Sequence, residues 1–328
     1  MKNRTLCVLL ILTMLFALCS CGEESERYPL SVNGTGINSE IFTYYLDEAF
    51  NSDEGGTTRD ERINYATNMC IRYVALNSTV KQMELELTPA EKANCSDESN
   101  ALWEIYRTHY EKLGVGKETF IKLHLSDAYR EKLRLYLYDK DGTSPISDDA
   151  LKSYFYENYI AVKVISGYLY TYDVYGNESA YTDEEKQEIE KTYTEACSKI
   201  NNGLTIDFIY PSLSADDDSA SDTLNTEVIT ESTPYYPAGF YEKARSLDVG
   251  KAGVFVFDDY IYLVYRENIL GDSSLLDDYR SECLTAVSEA PLKTEIDRMC
   301  NAYKSVRNTD EVNKCYSVTE EVFSSEKQ

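Results

Sequence analysis

The sequence predicts an α+β protein that is mostly helical and carries one small antiparallel sheet in its second half. Apolar residues recur at helical spacing through the first part of the chain, up to the turn-rich segment 141–145. From Ala161 the pattern changes to short runs of β-branched and aromatic residues, which are typical of strands. Helical spacing returns after Gly271. Because helices and strands occupy separate blocks, the pattern favours an α+β class over repeated βαβ units.

Composition limits the classes of function. The chain has 328 residues, enough for two domains or three small ones, and its 43% hydrophobic content supports a sizeable core. Its net charge of −25 argues against nucleic acid as a partner, because phosphates recruit lysine and arginine. There are two histidines, His109 and His124, so a His-rich metal site is not expected. No catalytic metal and no cofactor are predicted.

The N-terminus has the pattern of an export signal. A short basic segment precedes the apolar run Leu6–Leu18, which is too short to span a membrane. The run ends in Leu18-Cys19-Ser20-Cys21-Gly22, which resembles a bacterial lipobox. Residues 1–20 are therefore predicted to be a lipoprotein signal peptide, Cys21 the lipidated residue, and 21–27 a tether. The protein would be lipid-anchored at the extracytoplasmic face of a bacterial cell membrane. The alternative is a plain secretory signal in which Cys21 is incidental.

Six further cysteines follow Cys21 and form no Cys-x-x-Cys pair. This spacing argues against a zinc site and against a thioredoxin-like motif. Export permits disulfides, and their pairing stays open at this stage. The favoured interpretation is that most of these residues are buried as small apolar side chains. They are Cys70, Cys95, Cys197, Cys283, Cys300 and Cys315.

The helical block has recognisable helix starts. The segment 28–32 is predicted to be a strand that enters the turn Asn33-Gly34. Asn38 is a predicted N-cap, and Thr88 to Glu91 is a capping box with proline at the first helical position. The predicted helices follow Asn38, run over 58–86, begin again at 88, and cover 102–113 and 120–137.

The second block mixes helices and strands. Ser147 is a predicted cap, and the capping box at Thr182 starts a helix that ends at Asn202-Gly203. Asp258-Asp259 is the predicted turn of a hairpin. The remaining predictions are a helix over 150–159, a strand over 162–170, a surface loop over 214–233, a helix over 240–247, hairpin strands over 254–257 and 260–265, a helix over 275–304 that Pro291 kinks or divides, and a polar tail over 308–328.

Several of these segments resemble one family. Val32-Asn33-Gly34, followed by Ile37 and Phe42, resembles the start of the helical chaperone domain of SurA- and PrsA-like foldases. The segment 145–155 looks like the helix that leads out of that domain. Residues 161–268 are similar to a parvulin domain, the peptidyl-prolyl isomerase module of such proteins, in the order of their strands, helices and turns. The resemblance implies a helical chaperone-like domain over 28–158, an inserted parvulin-like domain over 159–268, and C-terminal helices over 269–328 that return to the first domain before a polar tail.

The sequence departs from that family where catalysis is concerned. Active parvulins usually carry a histidine in the first strand and another in the last hairpin. Ser166 stands at the first position, to within one residue, and the segment 259–262 has no histidine. The family's Gly-rich stretch is replaced by 225–233. No catalytic residue can be carried over. The residues proposed for a peptide-binding cleft are Ser166, Tyr168, Tyr236, Phe240 and Tyr262, although tyrosines in such strands are also common on an ordinary half-buried sheet face.

The expected function is that of a membrane-anchored folding factor that holds unfolded, exported polypeptides without efficient prolyl isomerase catalysis. One alternative is an active peptidyl-prolyl isomerase, because rotation about a prolyl bond needs neither a nucleophile nor a cofactor. Another is a cell-envelope interaction or solute-binding lipoprotein, which the lack of repeated βαβ units disfavours. The expected partners are unfolded polypeptides and, through Cys21, the membrane. The sequence does not indicate an oligomeric state.

Overall fold

The computed structural model describes residues 27–172, 175, 177–213, 224–271 and 274–326. The predicted signal peptide and the lipidation residue Cys21 lie outside these residues. The chain divides into two compact units: unit 1 contains the residues up to Leu137 and those from Ala290 onward, and unit 2 runs from Tyr138 to Glu289. The architecture is α+β with antiparallel sheets, which confirms the predicted class.

The elements follow each other along the chain as helices, then a mixed block, then helices. In chain order they are β1 (Leu30–Val32), β2 (Thr35–Ile37), α1 (Ser39–Asn51), α2 (Arg59–Gln82), α3 (Pro89–Lys112), α4 (Lys117–Tyr138), α5 (Asp148–Asn158), β3 (Ile160–Tyr168), β4 (Tyr170–Tyr172), β5 (Glu178–Ala180), α6 (Asp183–Asn201), α7 (Ile206–Leu213), β6 (Glu227–Ile229), α8 (Phe240–Ser246), β7 (Ala252–Phe257), β8 (Tyr260–Glu267), α9 (Ser274–Asp278), α10 (Arg280–Cys300), β9 (Ser305–Arg307) and α11 (Thr309–Glu326).

The helix starts of unit 1 are set by local hydrogen bonds. The Ile41 N–H donates to Asn38 Oδ1 at 3.0 Å, which confirms the predicted cap of α1. A capping box with both bonds present begins α3 at Thr88, as predicted, and a second one begins α2 at Thr58. The segment 102–113 belongs to α3, which runs unbroken from Pro89. The prediction of a separate helix there is wrong, because nothing between Pro89 and Leu102 breaks the helix.

The C-terminal segment is part of the core of unit 1. The predicted polar tail over 308–328 is wrong over its described residues, which form the helix α11 packed against α1. Its buried side chains Val312, Cys315 and Tyr316 belong to the same apolar cluster as Phe42 and Leu46 of α1. The spacing of three and four residues places them on one face of the helix. The neighbouring strand β9 pairs antiparallel with β1.

Unit 2 is built around one four-stranded antiparallel sheet with the order β6-β3-β8-β7. One face packs Ile165 and Leu263 against α6 and α7, and the other packs Val162 and Val264 against α8. Alternation along each strand therefore separates two apolar layers.

Three predictions for unit 2 need correction. The strand β6 lies within the segment predicted to be a surface loop, where Val228 and Ile229 supply the β-branched side chains; residues 214–223 of that loop lie outside the described part. The helix α7 was not predicted. The helix predicted over 275–304 is interrupted at Tyr279, between α9 and α10, and Pro291 lies inside α10 without dividing it.

Candidate functional sites in the two units

The register of the sheet in unit 2 brings the strand residues of the predicted cleft onto one face. Ser166 of β3 lies opposite Tyr262 of β8, and Tyr168 lies opposite Tyr260. Tyr262 also lies opposite Phe255 of β7. Residues directly opposite each other in an antiparallel pair project from the same side of the sheet. Ser166, Tyr168 and Tyr262 therefore share the face that α8 covers.

Tyr236 and Phe240 pack over this face. The ring of Tyr236 stacks on that of Phe240 at 3.9 Å between centroids and 3° between planes. Phe240 meets Tyr262 edge-on at 5.1 Å and lies 6.3 Å from Phe257. We call Tyr236, Phe240, Phe255, Phe257 and Tyr262 the aromatic cluster. The structure thus gathers four of the five predicted cleft residues at or beside this cluster, and Tyr168 lies at its outer end.

Burial divides the predicted residues into two groups. Phe240 is 1% exposed and Tyr262 is also buried, so their side chains form the core beneath the surface. Tyr168 is 53% exposed, and Ser166 is exposed as well. The accessible part of the predicted cleft is therefore formed by Ser166, Tyr168 and the partly buried Tyr236. The sequence pattern could identify the aromatic residues, but it could not distinguish the buried side chains from the solvent-exposed ones.

The polar groups on this face can donate and accept hydrogen bonds but do not suit acid–base chemistry. The Tyr236 hydroxyl donates to Glu227 Oε2 at 2.9 Å. Burial, followed by the charge of Glu227, raises the pKa of Tyr236, so its phenol stays protonated at neutral pH. Burial also raises the pKa of Tyr262. Neither histidine of the sequence lies in unit 2. The raised pKa values of Tyr236 and Tyr262 keep both phenols protonated, so they act as hydrogen-bonding groups on an otherwise apolar face.

A row of tyrosines continues this face toward solvent. Tyr168 lies 5.1 Å from Tyr170 and 5.6 Å from Tyr260 between ring centroids. Tyr170 in turn meets Tyr172 edge-on at 5.5 Å. Hydrogen bonds from Tyr172, together with the other neighbouring groups, raise the pKa of Tyr170 above its ordinary value. Tyrosine offers apolar area with a polar tip, so this exposed row suits contact with a flexible peptide.

Unit 1 holds a second surface that the sequence analysis missed. The helix α3 is 24 residues long but buries only Ser99 and Trp103. Between α3 and α4 lies an open cleft of about 350 Å³, which we call the α3–α4 groove. Its apolar lining comes from both helices and from the segment before them: Leu87, Leu102, Ala128 and Leu135.

Acidic side chains surround the α3–α4 groove. Glu98, Asp127 and Glu131 line it, whereas its one lysine, Lys132, is held at 2.9 Å by Glu91. Glu131 is also paired, because its Oε2 accepts from Arg134 Nε at 2.8 Å, so Glu98 and Asp127 are the carboxylates that favour an occupant with positive charge. Apolar side chains continue outward from the groove along α3, where Ile105 and Tyr106 are exposed. Apolar residues on α3 that lie outside its buried face are the sequence signal that could have revealed the groove.

His124 adds a polar group to the groove. Its Nδ1 lies 3.9 Å from Asp127 Oδ2, and its Nε2 is buried without a hydrogen-bond partner among the described residues. Burial lowers the pKa of His124, and the nearby charge of Asp127 only partly offsets this. The lowered pKa keeps the imidazole neutral, which limits the cost of burying its Nε2 without a partner.

His109 joins three helices of unit 1. Its Nε2 lies 3.0 Å from Asp47 Oδ2 of α1, and its Nδ1 lies 3.1 Å from Glu326 Oε2 of α11. Lys112 also contacts Glu326 at 3.2 Å. Burial lowers the pKa of His109, but hydrogen bonds and charge from Asp47 and Glu326 outweigh it, so the pKa is raised. The protonated imidazole thereby fixes the C-terminal end of α11.

This arrangement predicts a pH dependence. Since the folded-state pKa of His109 is raised above 6.5, its stabilisation is fully present below about pH 6.5 and is lost as the pH rises through the raised pKa. We expect His109→Gln to cost about 2 kcal/mol at pH 6, the value of hydrogen bonds to charged groups, and less at pH 8.5. Urea unfolding of both proteins at several pH values between 6 and 8.5 measures this difference in the free energy of unfolding.

His124→Gln is the matched control. In the unaltered chain the pKa of His124 is lowered below 6.5. The contribution of His124 to stability therefore increases as the pH rises toward about 6.5 and is constant above it. Above pH 6.5, the free energy of unfolding of His124→Gln should therefore change with pH as it does in the unaltered chain. If His109→Gln retained the full pH dependence above pH 6.5, the link through Asp47 and Glu326 would be refuted.

Within the part of the chain that the structure describes, no helix has both the length and the apolar character needed to cross a membrane. Among the same residues, no group of three or more histidine, cysteine or acidic side chains is placed to hold a metal ion.

Comparison with known proteins finds similarity among solved structures. No protein-family model matches the sequence, and no curated protein matches it significantly. The chain is similar to the foldase protein PrsA from Streptococcus pneumoniae str. Canada MDR_19A, with 15% identity, 91% of this chain and 93% of that chain covered, and a TM-score of 0.36. It is also similar to PrsA from Bacillus subtilis (13% identity, 79% and 84% covered, TM-score 0.31) and to the PrsA foldase from Lactococcus lactis (11%, 89% and 99%, 0.37). All three of these structures are of PrsA foldases.

Proposed function

We propose that this protein is an extracytoplasmic folding factor that holds unfolded, exported polypeptides and is anchored to the membrane through a lipid on Cys21. The observation that carries the proposal is the α3–α4 groove, an open apolar cleft on a helix that buries only two of its side chains. Concave apolar surfaces with a few polar groups at the rim are the usual form of a binding site. In this proposal unit 1 is the chaperone-like part of the chain, and unit 2 is a parvulin-like part without efficient catalysis.

The chemistry of the groove supports binding that is weak and tolerant of sequence. Leucine side chains from both helices offer apolar contact without directional demands. The carboxylates around them favour basic segments, and the net charge of −25 keeps the protein soluble while it carries an apolar client. Rapid release follows from such binding, which a folding factor needs if its client is to fold.

Introducing charge in the groove should weaken holding. Leu102 and Leu135 face the groove and are each 36% exposed, so aspartate at both positions adds charge without disturbing a buried core. Full burial of a leucine is worth about 1.5–3 kcal/mol, and each of these side chains has about a third of its surface left to bury, so the pair contributes roughly 1–2 kcal/mol. We therefore expect that at least about tenfold more of the double variant Leu102→Asp and Leu135→Asp is needed to suppress client aggregation to the same extent. The measurement is light scattering of denatured, reduced lysozyme during dilution into buffer with residues 22–328 of this chain, at high ionic strength, which screens the attraction between the added aspartates and this basic client.

The matched control is Val318→Asp on α11, which is 41% exposed and lies outside the lining of the groove. It should hold the client as well as the unaltered chain does. Equal suppression of scattering by the double variant and by this control would show that the groove does not bind the client, and the proposal would then fail.

A further inference from the structure

Strand β7 forms one edge of the sheet in unit 2, and its own residues include none of the charged or proline side chains that commonly protect an exposed edge. It pairs with β8 alone and has the sequence Ala-Gly-Val-Phe-Val-Phe, without charge and without proline. Proteins commonly protect an edge strand with lysine, proline, a bulge or a covering segment, because its free main-chain groups attract other strands.

The side chain of Asn201 shows which main-chain groups of β7 point outward. Its Oδ1 accepts from the Ala252 N–H at 2.9 Å, and its Nδ2 donates to the Ala252 carbonyl at 3.0 Å. One amide that satisfies both groups of one residue reproduces the pairing that a neighbouring strand would make. The groups of Ala252 therefore point away from β8 and are already satisfied by Asn201.

Alternation then identifies the part of the edge that is left open. Main-chain groups along a strand point alternately to the two sides, so those of Val254 and Val256 also point away from β8. Among the described residues, no hydrogen bond joins these two residues to a further strand or to a side chain. Val256 is also exposed. The open edge thus offers two N–H donors and two carbonyl acceptors, between Asn201 at one end and the turn Asp258-Asp259 at the other.

We propose that this open edge of β7 binds an extended segment of another polypeptide by strand addition. The occupant we infer is uncharged or basic, with β-branched residues in alternation. Two aspartates at the hairpin turn favour a lysine or arginine at that end of the segment. A second copy of this chain is disfavoured as the occupant, because pairing β7 with β7 brings together two chains of charge −25.

This inference rests on the proposed function only for the source of the segment, an unfolded client. It concerns unit 2, whereas the α3–α4 groove lies in unit 1, so the two can fail separately. The double variant Leu102→Asp and Leu135→Asp should therefore bind a strand-forming peptide at β7 as well as the unaltered chain does.

Amide hydrogen exchange on the unaltered chain, residues 22–328, is the direct test. The probe is the peptide Lys-Val-Thr-Val-Thr-Val-Lys with blocked ends, at saturating concentration. We expect the amides of Val254 and Val256 to exchange at least tenfold more slowly with the peptide, whereas that of Phe255, which faces β8, should change little. Unchanged exchange at Val254 and Val256 would overturn the proposal. Protection that appears without peptide and grows with protein concentration would assign the edge to a second copy and would also overturn it.

A proline substitution tests the same edge by affinity. Val256→Pro removes an outward N–H that the sheet does not use, so the pairing with β8 is retained. Val256→Thr keeps this N–H and is the matched control. Fluorescence anisotropy of the labelled peptide should show a Kd at least tenfold higher for Val256→Pro and less than twofold changed for Val256→Thr. Equal affinity of the two variants would contradict strand addition.

Discussion

Ending the chain after Asn308 is expected to unfold unit 1. The truncation removes α11, whose side chains Val312, Cys315 and Tyr316 are buried in the cluster around α1. Each fully buried apolar side chain of this size contributes about 1.5–3 kcal/mol. The loss therefore approaches the whole stability of a typical domain, about 5–15 kcal/mol. The truncated chain should lose the protected amides of α1 and should be digested rapidly within unit 1 by a protease.

A chain that ends after Glu326 is the control for this truncation. It retains all of α11 and the contact between Glu326 and His109, and it should resist protease as the full chain does. An equal unfolding midpoint for the chain truncated after Asn308 and for this control would show that α11 does not contribute to the core of unit 1.

Replacing Phe240 by alanine is expected to destabilise unit 2 by about 3–5 kcal/mol, the usual cost of removing a buried aromatic ring. Phe240 is the centre of the aromatic cluster and contacts Tyr236, Phe255, Phe257 and Tyr262. Without its ring the stacking with Tyr236 is lost, and a cavity opens above the sheet. Urea unfolding followed by tyrosine fluorescence measures the change.

Phe208→Ala is the matched control for this core substitution, because Phe208 of α7 is exposed in the same unit. Its effect should stay within about 0.5 kcal/mol, as for most surface changes. Similar losses for both variants would mean that the aromatic cluster is no better packed than the surface of α7.

Local signals account for the elements that the sequence could predict. The capping residues Asn38, Thr88 and Thr182 begin helices at the predicted places, because their hydrogen bonds are made within one turn. The hairpin around Asp258-Asp259 follows from alternating apolar residues on both sides of a two-residue turn. These features depend on neighbours in sequence, so they can be read without knowledge of the tertiary structure.

The errors concern features that depend on distant residues. The helix α11 carries cysteine, tyrosine and threonine on its buried face among many charged residues, so its apolar stripe is weak until α1 is known to cover it. The α3–α4 groove was missed for a related reason. A pattern shows that Leu102 and Leu135 are apolar, but it does not show that no helix covers them. Likewise, among the residues predicted to form the cleft, only the structure separates buried Phe240 from exposed Tyr168.

The central claim is that this chain holds clients without efficient isomerase catalysis. The most direct test follows the refolding of a denatured protein whose slow phase is limited by prolyl isomerisation, with residues 22–328 present and absent. Both the rate of the slow phase and the yield of soluble protein are recorded. We expect a higher yield of soluble protein and an unchanged rate of the slow phase. A slow phase that accelerates catalytically would contradict this claim and would establish an active prolyl isomerase, and no change in either quantity would contradict the holding function itself.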